Sequence, residues 1–502
     1  MKKQAKTVLT SILSLLLCGA LFFGGCAATD TSSTQDQTYV VSIEQTSSDG
    51  TQDVYTVTYS DGTTTTFTVT NGEDGEDGQD GTSLSLSELY EQYKEATGED
   101  LTLSEFLSEF LSFSDDSATR AVQKNLLSVL KIYAEFIVSE SYSMRPGQIQ
   151  TVSDTALCTG SAVIYDMDTA EDGYTYIVTN YHVVYLEEAN ATYNGGIKIA
   201  RKICGYLYGS EDTPSAAVDE STNTAQKDEI GYTVYDYGEA AIALEYVGGS
   251  VSADIAVLRA KTSDILAISP SATAVTLADS YRVGETAIAI GNPESLGISV
   301  TEGIVSVEND YITLSIDGTE RSYRSIRIDT ALYSGNSGGG LFNVKGELIG
   351  ITNAGDSADE NINYAVPLEI VRGTADSIIF YFEQGDTAQC AYKLTFGITV
   401  STQNSSYVYD VQTGYGTIEE EVVVQSVTAD SVAEACGLQA GDLLCAILVN
   451  GERHEITRSF HISDLALTLR EGDVIKLLVS RDGEEVLSGP CTLQASDLTA
   501  VA

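Results

Sequence analysis

A serine, a histidine and an aspartate lie in three settings that together could transfer an acyl group. Ser337 occupies "ALYSGNSGGGLF", residues 331–342, between an asparagine and three glycines. A hydroxyl kept for structure needs no such clearance; one that must meet a substrate carbonyl does. Acyl transfer by a serine also requires a base, a group that orients the base, and donors for the oxyanion. The backbone N–H groups of Gly335 and Ser337 could serve as those donors. Gly335 permits a turn in which a Cβ would interfere, and Gly338 and Gly339 leave room for substrate. Taken alone, the segment reads equally well as a glycine-rich turn between strands.

It does not stand alone. His182, in "YIVTNYHVV", is the only histidine ahead of the C-terminal segment. A lone histidine is usually structural. This one follows a turn signal at the end of an apolar run, where a barrel rim could hold it as a general base. Asp254, in "SADIAVLR", opens a strand whose next residues are core-like. An aspartate entering a buried strand needs a partner, and a histidine N–H would serve. Asp219, Asp228 and Asp236 also lie between His182 and Ser337, but in a polar stretch that suits solvated side chains.

The elements that must position these residues are short strands. From about residue 121 the chain runs through "SAVIYDM", "YTYIVTN", "AVLRA", "ETAIAIG", "EGIVSVE" and "GELIGITNA", punctuated by Gly, Asn and Asp. Such spacing predicts an all-β barrel or sandwich. The acidic stretch 205–240 interrupts the pattern as a surface insertion. Residues 390–497 mix strands with two short helices as a separate module. Ahead of the strands, residues 38–71 alternate around Asp61–Gly62 as a β-hairpin. "GEDGEDGQDG" at 72–81 follows as a flexible acidic linker. Two short amphipathic helices come next, with Ser87 and Ser104 as N-caps.

The order His182–Asp254–Ser337, with "GSAVI", "TNYHVV", "DIAVLR", "GNP", "EGIVS", "GNSGG", "GELIGI" and "NYAVP" in sequence, closely resembles the trypsin-like serine proteases, and more narrowly the HtrA/DegP (protease Do) family. The resemblance implies a mainly β fold, a double β-barrel with its active site between barrels. His182 and Asp254 would come from the first barrel and Ser337 from the second. It also implies an oxyanion hole of Gly335 and Ser337, and a substrate pocket of Ala331, Leu332, Ile351 and Asn353 without an acid at its base, hence small or medium apolar side chains at the cleavage point. Gly340 stands where the family often has proline, and Asn336 replaces the aspartate that activation by a new N-terminus would need. Residues 393–497, above all "GLQAGDLLCAILVNGE", resemble a PDZ domain. That implies a peptide carboxylate held by the N–H groups of Phe396, Gly397 and Ile398, the peptide adding as a strand opposite "DLALTL".

Composition narrows the setting. The net charge of −47 over 502 residues argues against nucleic acid and against adhesion to an anionic membrane. "MKKQAK", an apolar run and "GGC" ending at Cys26 match a secretory signal and resemble a bacterial lipobox, with lipid on Cys26. A plain signal peptide or a single membrane anchor are the alternatives, and all three export the chain. The six remaining cysteines fit no zinc spacing, and no metal or cofactor is expected. The expected organisation is a signal over 1–25, a tether and spacer over 26–120, a protease domain over 121–385 and a PDZ domain over 390–497. The expected function is an extracytoplasmic, lipid-anchored serine endopeptidase acting on unfolded or exposed polypeptides, with peptide C-termini as further partners and a possible homo-oligomer. A narrow processing protease is one alternative; a surface adaptor or chaperone with an inactive protease fold is the other.

Overall fold

The computed structural model describes residues 40–48, 52–60, 62–70, 94, 117–145, 148–356 and 359–501. Cys26, the 72–81 linker and, Lys94 apart, the helical pair lie outside them. The chain divides into two compact units, Met1–Leu103 and Ser104–Ala502. In the first, β2 (Gln52–Tyr59) and β3 (Thr64–Thr70) form the expected hairpin, and β1 (Val40–Ser48) adds to β2 in antiparallel fashion. Gly62, at φ +80°, makes the tight connection.

The second unit opens with α1 (Ser117–Asn125). Then come β4 (Val129–Arg145), β5 (Gln148–Met167), β6 (Tyr174–Thr179), β7 (Lys202–Leu207), β8 (Ile242–Ser250) and β9 (Ile255–Lys261). They close into a barrel in the order β8-β9-β6-β5-β4-β7. A second ring follows: β10 (Thr286–Gly291), β11 (Ser299–Ser315), β12 (Glu320–Ile328), β13 (Gly340–Phe342), β14 (Glu347–Asp356) and β15 (Asp359–Pro367). Its order is β14-β13-β10-β11-β12-β15, closed by pairing of β14 with β15. The fold is therefore mainly β, with the two six-stranded barrels of a trypsin-like domain.

Strand alternation explains why these segments read as unbroken apolar runs. Along β9, Ala256, Leu258 and Ala260 fill the first barrel, while Ile255 and Val257 join the core shared with the second. In β5, Ala162 and Ile164 point one way, and Val163 and Tyr165 the other. Both faces are buried, so both must be apolar. Each fully buried Val, Ile or Leu contributes about 1.5–3 kcal/mol.

The expected insertion begins later than the composition suggests, because β7 runs to Leu207 as a barrel strand. The excursion beyond it carries its own short ladders, Ser215–Ala216 with Tyr235–Asp236 and Val218–Asp219 with Thr224–Ala225. It is pinned to the barrel by Tyr206 Oη donating to the Tyr237 carbonyl (2.7 Å) and Tyr237 Oη donating to Glu135 (2.6 Å).

Helix α2 (Tyr181–Val184) makes a single turn after β6, and α3 (Leu368–Glu383) leads out of the second barrel. The remaining elements are β16 (Ala391–Leu394), β17 (Ile398–Asp410), β18 (Tyr415–Val427), α4 (Val432–Ala435), β19 (Leu443–Val449), β20 (Glu452–Glu455), α5 (Phe460–Thr468), β21 (Val474–Arg481), β22 (Glu484–Leu487), β23 (Cys491–Thr492) and β24 (Leu498–Val501). They surround a separate core that includes Phe396, Val422, Leu444, Ile447, Ile475 and Leu477. Helix α5 lies against α3. A Cβ on Gly373 would come within 2.6 Å of Leu467 Cβ, so the glycine permits that approach.

Candidate active site

His182 sits in the second position of α2, directly after the first barrel's β6. Its Nδ1 lies 2.8 Å from Asp254 Oδ2, and its backbone N–H donates to Asp254 Oδ1 at 3.0 Å. The Asp254 side chain is fully buried, whereas that of His182 is 32% exposed. The charge is thus enclosed on the orienting side and the imidazole remains open to the cleft. Asp254 adopts φ +50°, an unfavourable region for a residue with a Cβ. Asn180 Nδ2 holds its carbonyl at 2.9 Å, and Tyr323 of the second barrel donates to the Val251 carbonyl on the same turn. Burial pushes the His182 imidazole down; the Asp254 charge and hydrogen bond outweigh it and hold it above the usual 6.5.

The other candidate aspartates are used locally. Asp228 pairs with Arg201 and caps the Ile230–Tyr232 turn, Asp219 accepts from Ser221, and Asp236 accepts from the Gly238 N–H.

The turn around Ser337 is built on the seam between barrels. Ser161 N–H of β5 donates to the Ser337 carbonyl (2.9 Å), and Ser161 Oγ donates to the Gly335 carbonyl (2.8 Å). Gly338, at φ +87°, has no room for a Cβ, which would lie 2.1 Å from the Ser161 carbonyl oxygen. The Ser337 hydroxyl donates to the Asn353 carbonyl at 2.8 Å.

The "GNP" segment fixes the peptide ahead of the turn. Glu294 N–H donates to the Ser334 carbonyl at 2.6 Å. A trans peptide sends its N–H opposite its carbonyl. The Gly335 N–H therefore points away from Glu294, and among the described residues no hydrogen bond engages it or the Ser337 N–H. Glu294 and Ser295 reach this position at φ +50° and +62°. Asn292 supports them, donating its N–H to Ser161 Oγ and accepting the Gly297 N–H on its side chain.

Sequence reasoning did not single out Ser161, Asn180 or Glu294; the motifs "GSAVI" and "TNYHVV" contained the first two without showing what they would hold, and Glu294 follows "GNP" directly. Of the four pocket residues, Ala331 and Leu332 are half-buried and the Ala331 carbonyl accepts from Thr301 Oγ1. Ile351 is fully buried in the shared core, and Asn353 lines the cleft with His182. In the C-terminal module, the Phe396 carbonyl accepts from Ala433 N–H and the Gly397 carbonyl from Thr428 N–H. Gly397, at φ +76°, would meet Ser431 Cβ at 2.3 Å if it carried a Cβ, and Ile398 opens β17 opposite Val427. Among the described residues no group of His, Cys, Asp or Glu side chains could hold a metal ion.

Residues 160–351 match the family model described as trypsin-like peptidase domain. The chain is 26% identical over 391 residues to the serine protease Do-like HtrA of Lactococcus lactis subsp. cremoris, covering 73% of this chain and 80% of that protein. It is 30% identical over 247 residues to the periplasmic serine endoprotease DegP of Escherichia coli K12, spanning about half of each, 48% and 47%. Against the solved HtrA-type protease AlgW with decapeptide, the TM-score is 0.41 at 24% identity, over 75% of this chain and 98% of that one.

Proposed function

We propose that this chain is an exported serine endopeptidase of the HtrA/DegP type, with Ser337 as nucleophile, His182 as general base and acid, and Asp254 as the group that orients His182. The single observation that carries the reading is the pair His182–Asp254, one partner buried and the other open to the cleft, set at the seam that also shapes the Ser337 turn. Ser337 Oγ attacks the peptide carbonyl carbon while His182 Nε2 takes its proton. The tetrahedral oxyanion is met by the Gly335 and Ser337 N–H groups. Collapse expels the amine, which receives the proton from His182, and a water then repeats the sequence on the acyl-enzyme. With the hydroxyl resting on the Asn353 carbonyl, attack begins with rotation of the serine side chain toward His182.

The test is cleavage of an unfolded protein by wild type and by folded Ser337→Ala, with fluorophosphonate labelling of Ser337. Loss of both cleavage and labelling in the variant is expected. An unchanged cleavage rate would reassign the nucleophile, and an inert, unlabelled wild type would favour the adaptor reading.

The relatives named Do-like HtrA and periplasmic DegP support an extracytoplasmic setting. The lipid anchor on Cys26 rests on the leader sequence, and mass spectrometry of the mature N-terminus tests it. The C-terminal module is read as a PDZ domain whose Phe396–Ile398 turn takes a peptide carboxylate. Its support is the positive-φ Gly397 between two carbonyls that are both tied inward, which leaves the turn's N–H groups as the binding edge.

A further inference from the structure

A cleft of about 540 Å³ opens beside His182. One wall is Tyr185–Glu188, the chain leaving α2. The other is Leu314–Gly318, where β11 turns toward β12. Asn353 also lines it. Two features of this cleft are unspent by the architecture.

The first is Asn353. It is only 4% exposed, yet neither its Nδ2 nor its Oδ1 has a hydrogen-bond partner. A buried carboxamide without partners is unfavourable, and nearly all such groups in folded proteins are satisfied by protein, water or ligand. Its backbone carbonyl is already engaged by Ser337, so the side chain belongs at the reacting centre and awaits a polar group.

The second is the charge. Glu187 is engaged by Lys198 and by the Tyr185 hydroxyl, and Asp317 at the hairpin tip by Arg321. Those acids and bases cancel. Glu188 is exposed and has no ion pair among the described residues, so the cleft keeps one free carboxylate. Leu186, Leu314 and Ile316 flank it half-buried, a surface suited to the methylene stem of a long cationic side chain.

We infer that this cleft is a subsite for a lysine or arginine side chain of the substrate close to the scissile bond, with Glu188 as its counter-ion and Asn353 as its hydrogen-bond partner. The inference rests on the peptidase reading above and deepens it: the pocket at the cleaved residue takes an apolar side chain, and a cationic neighbour settles beside His182. Preferred substrates are then segments in which an apolar residue lies within a few positions of a basic one.

The experiment uses the full chain and peptides sharing one cleavage site, with Lys, Ala or Glu placed in turn at each of the three flanking positions on either side. Wild type is expected to favour Lys over Ala by roughly three- to tenfold in kcat/KM at one of those positions, the size of a partly exposed ion pair. The preference should shrink with added salt. Glu188→Gln should bring Lys and Ala to parity and Glu188→Lys should favour Glu, both with unchanged melting temperature. Equal cleavage at every position, or a preference that survives Glu188→Gln, overturns the subsite while leaving the peptidase intact. No cleavage of any peptide, with no fluorophosphonate labelling, overturns the peptidase reading and the subsite with it.

Discussion

Asp254 grips residue 182 twice: one carboxylate oxygen accepts from the His182 backbone N–H at 3.0 Å, and the other faces Nδ1 at 2.8 Å. The first contact fixes where the histidine stands and the second fixes its tautomer. Asp254→Asn separates them. The amide can still accept from the backbone, but its NH₂ then faces a ring nitrogen that must also donate. We expect kcat to fall by roughly four orders of magnitude with little change in fold, as a misoriented tautomer costs elsewhere. Steady-state kinetics beside a thermal melt would check this, and a loss of less than tenfold would mean that Asp254 is not the orienting group.

The His182 imidazole is held above 6.5 by Asp254 against the opposing effect of burial. With the neutral ring as the proposed base, activity should rise with pH through an apparent value above 6.5. Stability moves the other way. A pKa raised in the folded state contributes stability that is fully present below 6.5 and is lost as pH rises through the folded value. Activity of wild type and denaturation midpoints of Ser337→Ala, both followed from pH 5 to 9 (roughly the range in which a histidine titrates), should therefore run in opposite directions. An activity profile flat across that window would exclude a histidine base.

Gly338 combines φ +87° with a backbone contact that leaves no space for a methyl group. Gly338→Ala should abolish activity, because the barrel seam or the Ser337 turn must shift. Ser161→Ala removes one hydroxyl that donates to the Gly335 carbonyl and accepts from the Asn292 N–H. It should lower kcat by roughly 10- to 100-fold while KM changes little, since loosened oxyanion donors act chiefly on the transition state. A purely higher KM would show that Ser161 shapes substrate binding instead.

Arg324 of β12 is the buried tie to the C-terminal module. It donates to Asp464 of α5 at 2.6 Å and lies over the Phe460 ring. Burial pushes Asp464 up to about 6, with Arg324 opposing the shift. Arg324→Met should destabilise the protein by about 3–5 kcal/mol, because it strands a buried carboxylate; adding Asp464→Leu should recover most of the loss. Urea titration of the two variants distinguishes a working ion pair from an inert one.

The C-terminal module should bind peptides ending in a free carboxylate after an apolar residue. Amidation of that terminus should weaken binding sharply, because the N–H groups of residues 396–398 would lose the charge they are proposed to hold. Isothermal titration of the full chain with matched free and amidated peptides gives the comparison, and equal affinity would count against the PDZ reading.

The three proposed reactive residues were legible because each stands in a short motif whose neighbours are constrained by chemistry: an acid before a core strand, a histidine after a turn, a serine among glycines. The mainly β fold was legible from short apolar strands set off by Gly, Asn and Asp turns. What stayed hidden was long-range. Nothing local marks Ser161 as the partner of Gly335, 174 residues away, or Arg324 as the partner of Asp464, 140 away. The Tyr208–Ala241 excursion read as a plain loop because its ladders are two residues long, too brief for alternation to register. Ile351 and Asn353 share a strand, but a register shift between Thr352 and Ala354 intervenes, so alternation alone could not separate a core residue from one that opens to the cleft.

Because the Ser337 turn is held in part from outside its own barrel, the order of folding bears on when the proposed active site is complete. The first barrel contains both His182 and Asp254, and Tyr323 of the second supports the turn that carries Asp254. The turn around Ser337 is held within its own barrel by Thr352 and Glu294 and completes its contacts when Ser161 and Thr179 of the first barrel close against residues 335–338. A chain emerging from its N-terminus forms the first barrel early and the seam late. Between the synthesis of Ser337 and the closing of that seam, it carries all three proposed reactive side chains and no finished site. Latency in the unfinished chain thus follows from where the two barrels touch.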